Sequence, residues 1–166
     1  MRILSVDPGS LNLGYVIGEN DKIIAYCSRR LDKELYDRRF SILCDVLNQA
    51  WLKYQPDEIS IELPVRFRGM KNPALEVAYQ AILNWARSKF SRERIYSYHP
   101  ATWRAGIAKS SKASKGYIAR LVHLSYPELP EGVSDHVTDA AGILLYHVIA
   151  KRQEQIIKGE QYEKQY

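Results

Sequence analysis

The sequence predicts an α/β fold in which helices cover one mixed β-sheet. Three β-type segments stand near the start, separated by Gly, Asn and Asp as in an antiparallel meander. After them, segments with apolar residues at three- and four-residue steps, which is typical of amphipathic helices, alternate with two further short apolar runs. Three strands, a helix, a strand, a helix, a strand and then helices imply a mixed sheet.

Each predicted strand is a short apolar run bounded by turn residues. The first strand runs into "DPGS", so Asp7 stands at its end, and "ND" separates the second strand from the third. The predicted strands are 3–6, 13–19, 22–31, 57–63 and 94–100.

The helices are predicted from apolar spacing and from their termini. The first begins at Tyr36 and ends near "KYQPDE", and the second begins near Pro73. The remaining three are predicted at about 101–107, 115–124 and 135–151. The basic, proline-flanked segment "LPVRFRGMKNP" is predicted to be a loop. No repeat or linker divides the chain, so we expect one domain over 1–155 and a polar tail over 156–166.

Composition is that of a globular protein with a basic surface. The chain has 166 residues, 46% hydrophobic and 26% charged, and a net charge of +5. Its basic residues cluster, which favours a polyanionic partner, although a solvated basic surface is the alternative. We find no secretory segment and no apolar run long enough to span a bilayer. We therefore expect a soluble, cytoplasmic protein with no membrane partner.

Two carboxylates in strands are the first candidates for chemistry. Asp7 ends an apolar strand, where a carboxylate is costly without a counter-charge. Glu62 stands in "ISIEL", where alternation alone tolerates it only on the exposed face. If the first and fourth strands are neighbours, the two carboxylates lie side by side and repel unless a cation holds both.

The last predicted helix supplies further candidates within "SDHVTDAAGILLYH". Ser134 can cap it, and Asp135, His136 and Asp139 fall in its first turns. The small apolar residues that follow would pack closely on the sheet and bring Asp139 toward the strand carboxylates. Oxygen and imidazole ligands without thiolates suit Mg²⁺, with Mn²⁺ as a substitute, better than zinc.

Each candidate also has a structural interpretation. Asp135 can serve only the helix dipole, and a strand glutamate can simply face solvent. The set of Asp7, Glu62 and Asp139, spread over three elements, favours a metal site.

These motifs resemble those of the RuvC Holliday-junction resolvases. "DPGSLNLGY" is similar to their opening motif, "IEL" stands in the place of their strand-four glutamate, and "DHVTDAAGILLYH" resembles their C-terminal helix motif. "PATWRAGIAKSSKASKGYIARLV" resembles a segment in which two basic residues approach DNA, matched here by Arg104 and Lys115. The resemblance runs from about residue 1 to 150.

The resemblance implies a ribonuclease H-like fold, with a mixed five-stranded sheet and helices on both faces. It implies a homodimer that cuts four-way DNA junctions with divalent metal through a catalytic, metal-binding set of Asp7, Glu62, His136 and Asp139. Many members carry Asp where His136 stands, so Asp135 can share that role. The loop after Glu62 is longer and more basic than the family pattern, and its Phe67 would take the place of the aromatic inserted near the junction centre.

The expected mechanism is two-metal phosphodiester hydrolysis, in which one ion activates water and another, about 4 Å away, stabilises the leaving oxygen. Asp7 is the expected bridging ligand, and His136 either binds metal or acts as general base. The helix face with Leu75, Tyr79, Ile82 and Trp85 is a candidate dimer interface, or else it only covers the sheet. The candidate DNA contacts are Arg66, Phe67, Arg68, Lys71, Arg104, Lys109, Lys112 and Lys115.

Three alternatives stay open. A nuclease of the same fold could cut branched DNA, flaps or forks less selectively, as a phage-type relative would. A junction-binding module without activity conflicts with the intact carboxylate set. An actin-like nucleotide-binding fragment would need a second lobe and another phosphate loop. Metal-dependent nicking of paired strands would identify the resolvase, acting in a bacterial cell or phage-infected host.

Overall fold

The computed structural model describes residues 1–31, 34–65 and 72–163. The strands are β1 Arg2–Pro8, β2 Asn12–Glu19, β3 Lys22–Arg30, β4 Glu58–Glu62 and β5 Ile95–Tyr98. The helices are α1 Tyr36–Tyr54, α2 Pro73–Lys89, α3 Pro100–Ala108, α4 Lys115–Ser125 and α5 Asp135–Glu163. A single 3₁₀ turn, Arg92–Arg94, precedes β5.

The five strands form one mixed sheet in the order β3-β2-β1-β4-β5. The first three strands are antiparallel neighbours, whereas β4 runs parallel to both β1 and β5. This confirms the predicted meander, and it meets the condition, that the first and fourth strands are neighbours, under which Asp7 and Glu62 lie side by side. Because β1 and β4 are parallel, the residues at their carboxyl ends lie at the same edge of the sheet.

Helices cover both faces of the sheet, as expected. One core lies between the sheet and α1 and α2, with Leu43, Leu47 and Ile82 among its fully buried residues. The second lies under α3, α4 and α5, and includes Trp103 and Val122. Strand alternation divides the sheet residues between the two cores.

Alternation in β1 and β4 places polar side chains under α5 and α3. Leu4 and Ile61, whose side chains point to the opposite face of the sheet, belong to the core beneath α1 and α2. On the other face, the hydroxyls of Ser5 and Ser60, which are register partners, lie 2.5 Å apart and fully buried. The polar face of "EISIE" is therefore covered by helices, and Glu62 at its end is partly buried.

An ionic network holds α5 against the start of β4. Glu58 is 1% exposed and accepts hydrogen bonds from Arg94 at 2.8 Å and from Lys151 at 3.2 Å. His147, fully buried, lies 3.0 Å from the other oxygen of Glu58 through Nε2 and 2.7 Å from the Tyr98 hydroxyl through Nδ1. Buried charges need such partners, so this network favours one position of α5 on the sheet.

The structure corrects the predicted end of one helix and shows what one face of another helix covers. The predicted end of the last helix near Lys151 is wrong, because α5 continues to Glu163 and includes much of the predicted polar tail. Glu, Gln and Lys are good helix formers, so a polar composition does not end a helix. On α2, Tyr79 and Ile82 are buried in the chain's own core, so that face covers the sheet. No helix within the described ranges has the length and apolar character needed to cross a bilayer.

Candidate active site

Asp7 and His136 form a close pair at the sheet edge where the carboxyl ends of β1 and β4 lie. Asp7 lies near the end of β1 and is 6% exposed, and its Oδ2 is 2.6 Å from Nδ1 of His136. A carboxylate can only accept a hydrogen bond, so the Nδ1–H group of His136 is the donor and Oδ2 of Asp7 is the acceptor. This hydrogen bond raises the pKa of His136, with the Asp7 charge adding to the effect.

The position of His136 depends on Gly14. Gly14 is the β2 register partner of Asp7, and a β-carbon there would overlap the backbone carbonyl of His136. Without a side chain, β2 lets the first turn of α5 lie directly on the sheet. Ser134 supports that turn by accepting from the backbone N–H of Val137 at 3.4 Å, which confirms the predicted cap.

Glu62 is the last residue of β4 and faces the interior beneath α3. Its Oε2 accepts a hydrogen bond of 2.7 Å from the indole N–H of Trp103. Burial raises the pKa of Glu62 to about 8, and the charges of Asp7 and Asp139 push it in the same direction. Glu62 is therefore close enough to both aspartates to repel them.

Asp139 lies one turn beyond His136 on α5. Burial, followed by the Asp7 charge, raises the pKa of Asp139 to about 6. The guanidinium of Arg104 on α3 lies 3.4 Å from Oδ2 of Asp139 and acts against that increase. Asp7, Glu62 and Asp139, contributed by β1, β4 and α5, thus lie close enough for their charges to interact, and we call these three carboxylates the acidic cluster.

Asp135 takes a different position from the other acids. Its side chain is 71% exposed and pairs with Lys115 at 2.8 Å. That bond lowers the pKa of Asp135 and raises that of Lys115. Sequence analysis named His136 and Asp135 as alternatives for the residue that joins Asp7, Glu62 and Asp139. The structure places His136, and not Asp135, in contact with Asp7.

The cluster fits a divalent cation by its chemistry. Three carboxylates and an imidazole are oxygen and nitrogen donors of the kind that Mg²⁺ and Mn²⁺ accept. Burial, followed by the Asp7 charge, raises the pKa of both Glu62 and Asp139, and a bound cation would favour their charged forms. In the part of the chain described, no three His, Cys, Asp or Glu side chains are gathered tightly enough to hold an ion as they stand. The carboxylates pair instead with His136, Trp103 and Arg104.

The predicted DNA contacts are placed only in part. Lys109, which ends α3, and Lys112, in the loop before α4, are exposed. Arg104 is partly buried against Asp139, and Lys115 begins α4 beside Asp135. Four predicted contacts lie outside the described residues: Arg66, Phe67, Arg68 and Lys71.

Sequence analysis missed two residues that shape the cluster, Trp103 and Gly14. Trp103 is fully buried, and its N–H reaches Glu62 from a helix 41 positions away in the chain. Tryptophan in an amphipathic helix is an ordinary core residue, so no local signal marked it. Gly14 stood within the quoted motif "DPGSLNLGY", but its role depends on contact with α5.

Glu62→Gln should stabilise the metal-free protein at alkaline pH. Between the ordinary pKa of 4.5 and about 8, the folded state holds a proton at Glu62 that the unfolded state releases, so wild-type stability falls as pH rises. Gln removes this dependence. We expect a similar free energy of unfolding for the two proteins at pH 4.5 and an advantage of at least about 1.4 kcal/mol for the variant at pH 8.5.

Urea denaturation in EDTA at both pH values measures this effect. Glu131→Gln, which makes the same chemical change at an exposed site, is the control. An advantage of wild type over Glu62→Gln that grows with pH would contradict the repulsion within the cluster.

Known proteins of similar sequence and fold are RuvC nucleases. No protein-family model matches the chain. The crossover junction endodeoxyribonuclease RuvC of Prochlorococcus marinus is 31% identical over 145 residues, which cover 81% of this chain and 90% of that protein. RuvC of Dehalococcoides mccartyi is 29% identical over 154 residues, covering 89% and 90% of the two chains.

Structural similarity agrees with the sequence comparison. Thermus thermophilus RuvC in complex with a Holliday junction substrate superposes with a TM-score of 0.78 at 20% identity, over 93% of this chain and 96% of the other. This likeness confirms the ribonuclease H-like fold. By sequence and by fold, the chain belongs to the RuvC family of crossover junction endodeoxyribonucleases.

Proposed function

We propose that the protein is a divalent-metal-dependent endonuclease that resolves four-way DNA junctions by paired, symmetric nicks. The acidic cluster carries this proposal, because Asp7, Glu62 and Asp139 come from three different elements and repel one another inside the protein. A protein keeps such a costly arrangement where it serves chemistry. Membership of the RuvC family assigns that chemistry to crossover junctions.

The carboxylates of the acidic cluster and His136 have separate roles in the proposed reaction. Asp7, Glu62, Asp139 and His136 would hold the metal, which supplies an activated water and stabilises the leaving oxygen of the phosphodiester. His136, oriented by Asp7, is placed to hold or move a proton during hydrolysis. Mg²⁺ is the proposed cofactor and Mn²⁺ its substitute.

The substrate requires two such sites. A four-way junction has two equivalent strands to cut, and a two-fold homodimer presents one active site to each. We extend the proposal to a homodimer of nuclease domains spanning 1–155, acting on DNA in the cytoplasm. Three exposed lysines at the end of α3, in the loop after it and at the start of α4 would contact phosphates: Lys109, Lys112 and Lys115.

End-labelled four-way junction, flap and linear duplex DNA, each incubated with Mg²⁺, Mn²⁺ or EDTA, test the function. A resolvase nicks the junction at symmetric positions and leaves the duplex intact. Equal cutting of junction and flap would instead identify a broad branch nuclease. Absence of cutting with either metal would overturn the nuclease proposal.

Charge removal between α3 and α4 should change the salt dependence of junction binding. Each phosphate contact releases counterions, so Lys109→Ala and Lys112→Ala should each reduce the slope of log affinity against log salt by about 1. Fluorescence anisotropy from 50 to 200 mM salt, with EDTA present, measures the slopes. Lys22→Ala, an exposed lysine at the opposite edge of the sheet, is the control and should leave the slope unchanged. Equal slopes for all four proteins would remove these lysines from the DNA interface.

A further inference from the structure

Trp103 contacts β4 and α5, two of the three elements that carry the acidic cluster. It is fully buried on α3, and its Nε1 donates to Glu62 Oε2 at 2.7 Å. The next residue, Arg104, contacts Asp139 from the same helix. One turn of α3 therefore contacts two of the three carboxylates.

The ring of Trp103 is held in place by α5. Gly142, three residues beyond Asp139, faces the ring so closely that a β-carbon there would lie 2.7 Å from Cζ3 and 3.2 Å from Cη2. The guanidinium of Arg104 lies over the ring, 5.0 Å from its centroid. A ring fixed in this way gives its N–H one direction, which points at Glu62.

A fixed donor matters for a glutamate ligand. The terminal torsion of glutamate is broad, so the plane of its carboxylate is poorly defined by the side chain itself. A hydrogen bond to one lone pair of Oε2 fixes that plane and leaves the other lone pairs in known directions. In metal sites, such outer partners orient the ligand and raise metal affinity.

We propose that Trp103 is a positioning residue, whose indole N–H orients the Glu62 carboxylate for binding divalent metal. This inference rests on the proposed function and adds a residue outside the acidic cluster to it. It also gives Gly142 a role, because only a residue without a side chain leaves space for the Trp103 ring.

The chain contains a matched control in Trp85. The Nε1 atom of Trp85 is buried without a hydrogen-bond partner, and its ring packs edge-on against Phe90, with centroids 6.3 Å apart. Tryptophan-to-phenylalanine replacement thus removes an aligned donor at Trp103 and an unused donor at Trp85. Both changes keep an aromatic ring in the core.

Direct Mn²⁺ binding to the DNA-free protein, followed by electron paramagnetic resonance, compares the variants. We expect Trp103→Phe to weaken the apparent Mn²⁺ affinity about 10- to 100-fold, and Trp85→Phe to leave it unchanged. In junction nicking, the Mg²⁺ concentration for half-maximal rate should rise by a similar factor for Trp103→Phe, while the rate at saturating Mg²⁺ stays near that of wild type. A loss of packing alone would lower the amount of folded protein without changing this concentration.

The wild-type protein provides a second measurement that does not depend on a variant folding. The three tryptophan indole N–H groups give separate ¹H–¹⁵N signals. Trp85→Phe assigns one of them and Trp51→Phe, on α1, a second. We expect the third signal, that of Trp103, to shift during a Mg²⁺ titration while the Trp85 signal does not.

The outcomes separate this inference from the proposed function. Suppose that wild type binds Mn²⁺ and nicks junctions. If Trp103→Phe then binds Mn²⁺ as tightly as wild type, or if the Trp103 signal does not shift with Mg²⁺, the positioning role is wrong and the proposed nuclease function is unaffected. If wild type neither binds metal nor nicks, the proposed function fails and the inference falls with it.

Discussion

Asp7→Asn should reduce junction nicking at saturating Mg²⁺ at least about 10³-fold, because metal stabilisation of the transition state is worth several kcal/mol and each 1.4 kcal/mol is tenfold in rate. Asp7 interacts with Glu62 and Asp139 through its charge and with His136 through a hydrogen bond. Its charge raises the pKa of Glu62 and of Asp139, and its Oδ2 receives the hydrogen bond from His136. Asn has nearly the same shape but no charge with which to hold a cation.

The affinity of Asp7→Asn for DNA, unlike its nicking rate, should not fall. The variant removes one negative charge from a surface that would face phosphates, so junction binding in EDTA should be equal to that of wild type or tighter. Single-turnover nicking and anisotropy on the same preparation separate the two effects. Asp21→Asn is a suitable control, because Asp21 is an exposed aspartate at the opposite edge of the sheet, where its left-handed backbone also suits Asn. Normal nicking by Asp7→Asn would contradict the proposed role of the cluster.

The sequence predicted the elements of this fold well because its patterns are local. Short apolar runs between turn residues and helical spacing predicted the five strands and five helices seen in the described residues, and the order of elements led to the mixed sheet. The placement of the three acids is also largely local, since Asp7 and Glu62 stand at or near the ends of parallel strands and Asp139 lies in the first turns of the helix that covers them. Each of these positions follows from chain order and from the direction of neighbouring strands.

The remaining features depend on contacts between distant residues. Alternation alone tolerated Glu62 only on an exposed face of β4, but α3 and α5 cover that face. The exposure of Asp135 and the burial of Trp103 likewise depend on how two helices lie on the sheet. No local pattern distinguishes these outcomes, because the hydrogen bond between Trp103 and Glu62 joins positions far apart in the chain.

Gly14→Ala should destabilise the protein and separate His136 from Asp7. The added β-carbon would overlap the backbone carbonyl of His136, and a backbone group cannot rotate away as a side chain can. Helix α5 would have to move from β2, while the Glu58 and His147 network holds its middle against β4. We expect a loss of about 3 kcal/mol in the free energy of unfolding, at the upper end for overpacking.

Displacement of α5 should also reduce the nicking rate of the protein that remains folded. His136 donates to Asp7 across 2.6 Å, and a misplacement of about 1 Å at a reacting centre can reduce the rate about 10²-fold. Nicking measured at 10 °C, where circular dichroism shows the variant to be folded, isolates this effect. Gly116→Ala adds the same methyl group on α4, where no atom lies within 4 Å, and should increase stability by up to about 1 kcal/mol. If Gly14→Ala unfolds and nicks like wild type, β2 and α5 do not meet at Gly14, and another contact must place His136 beside Asp7.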